Sequence, residues 1–208
     1  MRREEPGGAL RPKRHGPPAD GADPRAGFRK ERPMPKVQVG KVGIYYEEAG
    51  TGIPLIFIHE FAGDWRSWEA QVRFFSSRYR AVTFSARGYL PSDVPEAAKD
   101  YSQEHQIEDL RGLMDALKVE KAHLCGLSMG SGMTFYTMMW DLRLKVGVAV
   151  CSMYTLKVLY GQPLMHCFMN WIPRMVTEGL EMYDVFPLIA PRPLLMVNPT
   201  DSFEDPLA

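Results

Sequence analysis

The sequence predicts an α/β domain in which helices cover both faces of a mostly parallel sheet. Two observations support this prediction. Short, continuous apolar runs, typical of strands that are covered on both faces, recur along the 208-residue chain. Helical stretches lie between them, and alternation of strands with helices favours a parallel sheet. The length is enough for one sizeable core and favours one core over two.

The strands are predicted in chain order. The stretch "VQVGKVGIYYEEAG" alternates apolar and polar residues around Gly40, which indicates two short antiparallel strands. Five apolar runs follow it: "PLIFI" at 54–58, "RAVTF" at 80–84, "AHLCG" at 122–126, "VGVAVC" at 146–151 and "PLLMV" at 193–197. We therefore expect seven strands in the chain.

The clearest helix is predicted over "QEHQIEDLRGLMDALKV", residues 103–119. Its apolar residues fall on one stripe at helical spacing: Ile107, Leu110, Leu113, Met114 and Leu117. Ser102 can cap the first turn, where Glu104 also suits the positive end of the helix dipole. This segment is therefore expected to pack its apolar stripe on the sheet.

Residues 1–33 differ from the rest of the chain. They are crowded with Pro, Gly, Arg and Lys and have few large apolar side chains, so they cannot bury enough surface to offset chain entropy. The stretch lacks the apolar segment of a secretory signal, and acidic residues interrupt it, unlike a mitochondrial presequence. We expect a disordered basic tail of little functional weight over 1–33 and one folded domain over 34–208.

The composition favours small, uncharged or modestly charged partners. Because 25 basic and 25 acidic residues give zero net charge, we expect neither nucleic acid nor a membrane surface as a partner. Three cysteines in apolar surroundings, Cys125, Cys151 and Cys167, indicate reduced thiols and a cytoplasmic setting. The sequence has no zinc-ligand spacing and no glycine-rich phosphate or dinucleotide motif, so no metal or cofactor is expected.

The spacing G-x-S-x-G occurs at Gly126, Ser128 and Gly130, between the apolar run 122–126 and helix-compatible residues. A serine at such a strand-to-helix turn is typical of a nucleophile elbow. Glycines on both sides let backbone segments approach closely and allow a strained serine conformation. The backbone N–H of Met129, at the helix start, would then face a developing oxyanion. The alternative is a small-residue turn with an ordinary surface serine.

The segment "FIHEFAGDWRSW" directly follows the first buried strand, and here the chain resembles the α/β-hydrolase fold family. In that family an H-G-like turn supplies a second oxyanion-hole amide. The resemblance implies that Phe61 donates its backbone N–H and that His59 shapes the loop without acting as a base. Glu60 stands where the family very often has Gly.

A second loop, "TFSARGYLPSDVP" at 83–95, is similar to the family's D-x-R-G-x-G-x-S loop. Arg87, Gly88 and Ser92 match the pattern, whereas Ser85 replaces its Asp and Leu90 replaces its second Gly. The resemblance as a whole covers about residues 36–206.

The resemblance changes character along the chain. Up to the elbow it is to the lactonase and esterase branch, and beyond the elbow to dienelactone hydrolases and acetyl-xylan-esterase-like enzymes. In both branches the triad acid follows the seventh strand, and Asp201 occupies that position. Glu204, or a loop carboxylate without a role, remains an alternative. The apolar segment 153–186 is a candidate cap over the acyl pocket, although most of its side chains could be ordinary core.

The triad base is the missing part of the resemblance. The family order is Ser, then acid, then His, yet no histidine follows Asp201. Of the five histidines in the sequence, His166 is the one in a segment that could fold over the site, so it is a possible substitute base. An expected eighth strand and closing helix are also missing, so the chain is either a truncated product of a longer hydrolase or a shortened family member. Truncation is favoured, because Asp201 and the oxyanion turn are still in place. The seventh strand should then be an exposed sheet edge.

The functional expectation is a serine hydrolase that acts on carboxylic ester or lactone bonds through an acyl-enzyme. Without a visible triad histidine, we expect the 208-residue chain to be weak or inactive. The alternative is a noncatalytic homologue that binds a small ligand or a protein partner.

Overall fold

The computed structural model describes residues 35–151, 174–175 and 177–198. Seven strands lie within these residues: β1 Lys36–Val39, β2 Val42–Ala49, β3 Pro54–Ile58, β4 Arg80–Phe84, β5 Ala122–Leu127, β6 Leu144–Val150 and β7 Leu194–Val197. The α-helices are α1 Glu69–Phe75, α2 Gln103–Ala116, α3 Met129–Trp140 and α4 Met182–Val185. Short 3₁₀ helices span Trp65–Trp68, Ala98–Asp100 and Phe186–Ile189.

The seven strands form one sheet in the order β1-β2-β4-β3-β5-β6-β7. Pairing is antiparallel for β1 with β2 and for β2 with β4, and it is parallel for the four other neighbouring pairs. All seven predicted strands are therefore present, and the mostly parallel sheet is confirmed. The hairpin of β1 and β2 turns at Gly40, whose φ of 57° suits a residue without a side chain.

Helices cover both faces of the sheet, as predicted. Successive residues of a strand point to opposite faces, so Ile56 and Ile58 of β3 pack in the core that includes residues of α2 and α3. Leu55 and Phe57 point the other way and pack with Trp68 and with α1. The two layers of side chains hold β3 at the centre of the domain.

Helix α2 begins where the sequence predicts. The Ser102 hydroxyl accepts a hydrogen bond from the His105 backbone N–H at 3.2 Å, which satisfies one of the free donors of the first turn. The predicted apolar stripe is buried, since Leu110, Leu113 and Met114 have no exposed surface. Among the described residues, no helix is both long and apolar enough to cross a membrane.

Strand β7 lies at one edge of the sheet and pairs with β6 alone among the described strands. Its Leu195, Met196 and Val197 side chains are exposed. The expected exposed seventh strand is therefore observed in the described part of the chain. The predicted tail over 1–33 and most of the predicted cap over 153–186 lie outside the described residues.

Candidate functional site

Ser128 lies between the end of β5 and the start of α3. Its φ of 52° and ψ of −111° are unusual for a residue with a side chain, which is the strained turn that the G-x-S-x-G spacing predicts. The Ser128 backbone N–H donates to the Val150 carbonyl at 2.8 Å, and its own carbonyl accepts from the Ser131 N–H at 2.9 Å. The neighbouring strand and the first turn of α3 together hold this conformation.

The two glycines of the motif are required by close backbone approach. A Cβ atom on Gly126 would lie 2.0 Å from the carbonyl oxygen of Gly130. A Cβ atom on Gly130 would lie 2.2 Å from the carbonyl oxygen of Ile58 and 2.9 Å from that of His59. The start of α3 therefore packs directly on β5 and on the turn that follows β3.

Two side-chain hydroxyl groups donate hydrogen bonds to the backbone of the turn that carries Ser128. The Ser131 hydroxyl lies within hydrogen-bond distance of two carbonyl oxygens and can donate to either one, that of Gly126 at 2.9 Å or that of Val150 at 2.5 Å. The Thr134 hydroxyl donates to the Gly130 carbonyl at 2.9 Å. Both side chains are buried, so these bonds rigidify the turn that carries Ser128. Sequence reasoning did not assign a role to either residue, although both lie in the small-residue run after the motif.

The turn after β3, residues 59–63, lies against the start of α3. The Gly63 N–H donates to the Glu60 carbonyl at 3.2 Å, and Ala62 has a φ of 63°. The Phe61 side chain points to solvent and is 64% exposed. Within the described part of the chain, neither the Phe61 N–H nor the Met129 N–H donates a hydrogen bond, so both amides are available to an oxygen atom.

The His59 side chain, at the start of this turn, is fully buried, and both of its ring nitrogens have hydrogen-bond partners. Its Nε2 accepts from the Ala86 backbone N–H at 3.0 Å, so Nδ1 carries the proton and donates to the Glu60 carbonyl at 2.7 Å. Burial lowers the pKa of the imidazole, which keeps it neutral. These contacts link the turn to the loop after β4 and leave no lone pair to accept a proton from Ser128.

The loop after β4 is held by a buried ion pair that the motif alone does not predict. Arg87 donates to both carboxylate oxygens of Asp109, at 2.6 and 2.7 Å, and to the Asp100 carbonyl at 2.7 Å. Asp109 occupies a buried position in the amphipathic pattern of α2, where no sequence signal marks it. This bidentate ion pair fixes the loop after β4, in which the Ala86 N–H donates a hydrogen bond to His59.

Tyr89 joins the same loop to both halves of the site. Its ring packs edge-on against His59, with centroids 4.7 Å apart, and its hydroxyl lies 3.7 Å from the Met129 sulfur. Ser92, the last residue of the matched loop, donates to the Ser85 carbonyl at 2.6 Å and accepts from the Tyr45 N–H at 2.8 Å. The loop is thereby connected to β2, His59 and α3.

The structure does not bring a base to Ser128 within the residues that it describes. His105 contacts Ser102, and His123 lies at the beginning of β5, five residues and roughly 16 Å of extended strand from Ser128. The predicted acid Asp201 and the possible base His166 lie outside the described residues. Groups of three or more potential metal ligands are also absent from the described part of the chain.

The comparisons with known proteins agree on one fold. A family model described as alpha/beta hydrolase fold matches residues 53–170. Epoxide hydrolase 2 of Siraitia grosvenorii is 32% identical over 101 residues, which cover 48% of this chain and 32% of that protein. The 3-oxoadipate enol-lactonase 1 of Acinetobacter baylyi is 40% identical over 76 residues, 36% of this chain and 27% of that protein.

A solved structure, the epoxide hydrolase VrEH1 from Vigna radiata, is 31% identical with a TM-score of 0.54, covering 58% of this chain and 40% of its own. The chain spans about a third of the length of the curated relatives that it matches. The family model, by contrast, matches more than half of this chain. The protein belongs to the alpha/beta hydrolase fold family.

Proposed function

We propose that this protein is a serine hydrolase in which Ser128 attacks the carbonyl carbon of a carboxylic ester or lactone. The observation that carries the proposal is the conformation of Ser128, at a φ of 52° between β5 and α3. Backbone strain of this kind persists only where surrounding contacts enforce it, and here glycines, hydroxyl groups and a neighbouring strand all do so.

The proposed reaction proceeds through an acyl-enzyme. The Ser128 oxygen bonds to the carbonyl carbon as its proton passes to a base, and the resulting oxyanion accepts hydrogen bonds from the Met129 and Phe61 amides. Collapse of this intermediate expels the alcohol, and water then releases the acid from the serine ester. In this proposal Asp201 orients the base, as the family resemblance implies.

The nucleophile favours an ester or lactone over an epoxide, although proteins named as epoxide hydrolases are among the relatives. A serine alkoxide that opens an epoxide forms an ether, and water does not cleave that bond under mild conditions. Attack on an ester forms another ester, which water can hydrolyse. The relative named as an enol-lactonase supports the same substrate class.

The rate expected for the 208-residue chain is low. Among the described residues no histidine is placed to accept the Ser128 proton, because His59 has both nitrogens engaged and His123 lies at the beginning of β5. Triad deletions in serine proteases leave about 10³ to 10⁴-fold acceleration over water, from binding and the oxyanion hole. We therefore expect p-nitrophenyl acetate to be hydrolysed slowly. A fast rate that Ser128→Ala abolishes would show that a residue outside the described part of the chain, such as His166, acts as the base.

Labelling with a fluorophosphonate tests the proposal without requiring turnover. The expected result is one adduct on Ser128 that accumulates slowly over a long incubation, because the same base would activate the serine; the adduct is located by peptide mass spectrometry and is absent from Ser128→Ala. Ser77→Ala, which removes an exposed serine elsewhere, should label like the wild type. An unlabelled wild-type protein would contradict the proposal and favour the noncatalytic ligand or partner binder, which the lack of a described base near Ser128 supports.

A further inference from the structure

We infer that Glu60 is a specificity-determining residue, which excludes substrates that carry a negative charge beside the reacting carbonyl. The substrates would then be neutral or cationic esters and lactones, and carboxylate-bearing lactones would be poor substrates. This inference rests on the proposed function at Ser128 and adds the substrate class. Four features of the turn after β3 support it.

The first feature is the position of Glu60 between His59 and Phe61, in the turn that packs on the start of α3. The His59 carbonyl would lie 2.9 Å from a Cβ atom on Gly130, two residues after Ser128. The Glu60 carbonyl accepts from the Gly63 N–H and from His59 Nδ1, so the backbone of Glu60 is fixed on both sides. The backbone of Glu60 therefore has a defined place beside the start of α3.

The second feature is the folded-back carboxylate of Glu60. Its Oε1 accepts from the Ser67 hydroxyl at 2.9 Å and would lie 2.3 Å from a Cβ atom on Gly63. The carboxylate thus lies across its own turn, where Gly63 leaves room for it. Its Oε2 is buried and has no hydrogen-bond partner among the described residues. Because one of its two oxygens is shielded from water, its charge is screened less than that of a fully exposed carboxylate.

The third feature is the lack of a compensating cation. Arg66, the basic residue of the same segment, donates to Asp64 at 3.0 Å and is neutralised by it. His59 is neutral, because burial lowers its pKa. Arg87 is paired with Asp109. Within the described residues Glu60 forms no ion pair, so the turn carries one net negative charge.

The fourth feature is the uncharged surface that carries the nucleophile. The stretch from Ala122 to Trp140 contains no Asp, Glu, Lys or Arg, and its one histidine, His123, lies at the beginning of β5. In the two segments that meet at the elbow, the turn after β3 and the start of α3, the Glu60 carboxylate is therefore the described charged side chain, and the N-terminus of α3 adds a helix dipole. An anionic group on the substrate would meet repulsion from Glu60 on approaching the Phe61 amide.

Paired fluorophosphonate probes of equal length test this inference, one ending in a neutral amide and the other in a carboxylate. The measurement is the second-order labelling rate at Ser128 for each probe, with Ser128→Ala as background. The wild type should label with the neutral probe about tenfold faster than with the anionic probe. Glu60→Gln should bring the ratio close to one by accelerating the anionic probe, and high salt should narrow the wild-type ratio.

Glu69→Gln is the matched control, because Glu69 is an exposed glutamate of the next helix that pairs with Arg73. It should leave the ratio unchanged. Ser67→Ala removes the hydrogen bond to the Glu60 carboxylate without changing the charge of the turn. In this variant the ratio of neutral-probe to anionic-probe labelling rates should fall to a value between those of the wild type and Glu60→Gln. A ratio that Glu60→Gln leaves unaltered, or a loss of labelling by both probes in that variant alone, would overturn the inference. Absence of label in every variant would overturn the proposed function and, with it, this inference.

Discussion

Strands β5 and β7 precede, in the sequence, the residues predicted to supply the nucleophile and the acid, and the surroundings of the two strands differ. Strand β5 pairs with β3 on one side and with β6 on the other, and its Leu124 has no exposed surface. Strand β7 pairs with β6 alone among the described strands, and Leu195 is 57% exposed. Two strands of similar apolar character therefore occupy the centre and the edge of one sheet.

The difference shows what an apolar run does and does not determine. It predicts that a segment becomes a strand, but the burial of that strand depends on its neighbours. Around β5, backbone contacts from Val150 and Gly130 and the hydroxyl of Ser131 fix the conformation of Ser128. The nucleophile is thus held by backbone and hydroxyl contacts at the centre of the sheet.

Identical leucine-to-alanine changes in the two strands give the largest expected contrast. Leu124→Ala removes a fully buried side chain from β5 and should lower the free energy of unfolding by about 2–5 kcal/mol, since a cavity remains. Leu195→Ala in β7 should change it by about 0.5 kcal/mol, because that side chain is largely exposed. Urea denaturation measures both values.

Equal losses for the two variants would show that the β7 side chains are covered in solution. The aggregation tendency of the wild type should be recorded in the same experiment, because an apolar edge strand favours association between chains. Leu195→Lys should reduce association without reducing stability.

The sequence was sufficient to predict all seven strands, the alternation of strands with helices, and the Ser102 cap of α2. Each of these depends on local chemistry: apolar runs, turn glycines and a capping hydroxyl. The lateral order of strands in the sheet follows from contacts between distant segments, which a single sequence does not specify. Helix α1 has seven residues and no capping side chain, so it left no clear signal.

At the candidate site, the motif predicted the strained Ser128 and the need for Gly126 and Gly130. The motif did not predict the ion pair of Arg87 with Asp109. A carboxylate on an amphipathic helix is expected to be solvated unless its partner is known, and Arg87 lies 22 residues away. Nor did the motif reveal where the Glu60 carboxylate lies, since that depends on Ser67, seven residues away. Long-range partners are what sequence patterns leave open.

Glycine-to-alanine changes sharpen the same comparison at a smaller scale. Gly126→Ala in β5 places a methyl group against the backbone of Gly130, which cannot move without distorting the elbow. We expect a loss of about 1–3 kcal/mol in unfolding free energy and a matching loss of Ser128 labelling. Gly147 of β6, which pairs with β7, offers the matched control.

A Cβ atom on Gly147 would meet the Met138 sulfur at 2.3 Å and the Leu194 side chain at 3.0 Å. The third neighbour is the Thr134 methyl group at 3.2 Å, and all three are side-chain atoms, so Gly147→Ala should destabilise the protein less than Gly126→Ala and should slow Ser128 labelling less. If Gly126→Ala labels as fast as the wild type, the close packing of β5 on α3 is not what holds the nucleophile.

The smallest expected effect is a pH dependence that arises at the buried end of β3, the partner of β5. Burial lowers the pKa of His59 in the folded protein below its unfolded value of about 6.5. As the pH falls through that unfolded value, the unfolded chain binds a proton that the folded protein excludes. The contribution of His59 to the free energy of unfolding is therefore complete above about pH 7.5. Below about pH 6.5 the free energy of unfolding declines by at most about 1.4 kcal/mol per pH unit.

Denaturation at pH 7.5 and 5.5 measures this decline, and His59→Gln should reduce it by about 1 kcal/mol. His123, whose pKa is also lowered by burial but whose side chain is half-buried, serves as the matched control, and His123→Gln should reduce the decline less. Asp64, Asp93 and Asp141 have lowered pKa values and lose their contribution only near and below pH 4, outside this range. If His59→Gln leaves the decline in unfolding free energy unchanged, His59 binds a proton in the folded protein as well. A protonated imidazole has no lone pair on Nε2, so the hydrogen bond from the Ala86 N–H would then be excluded.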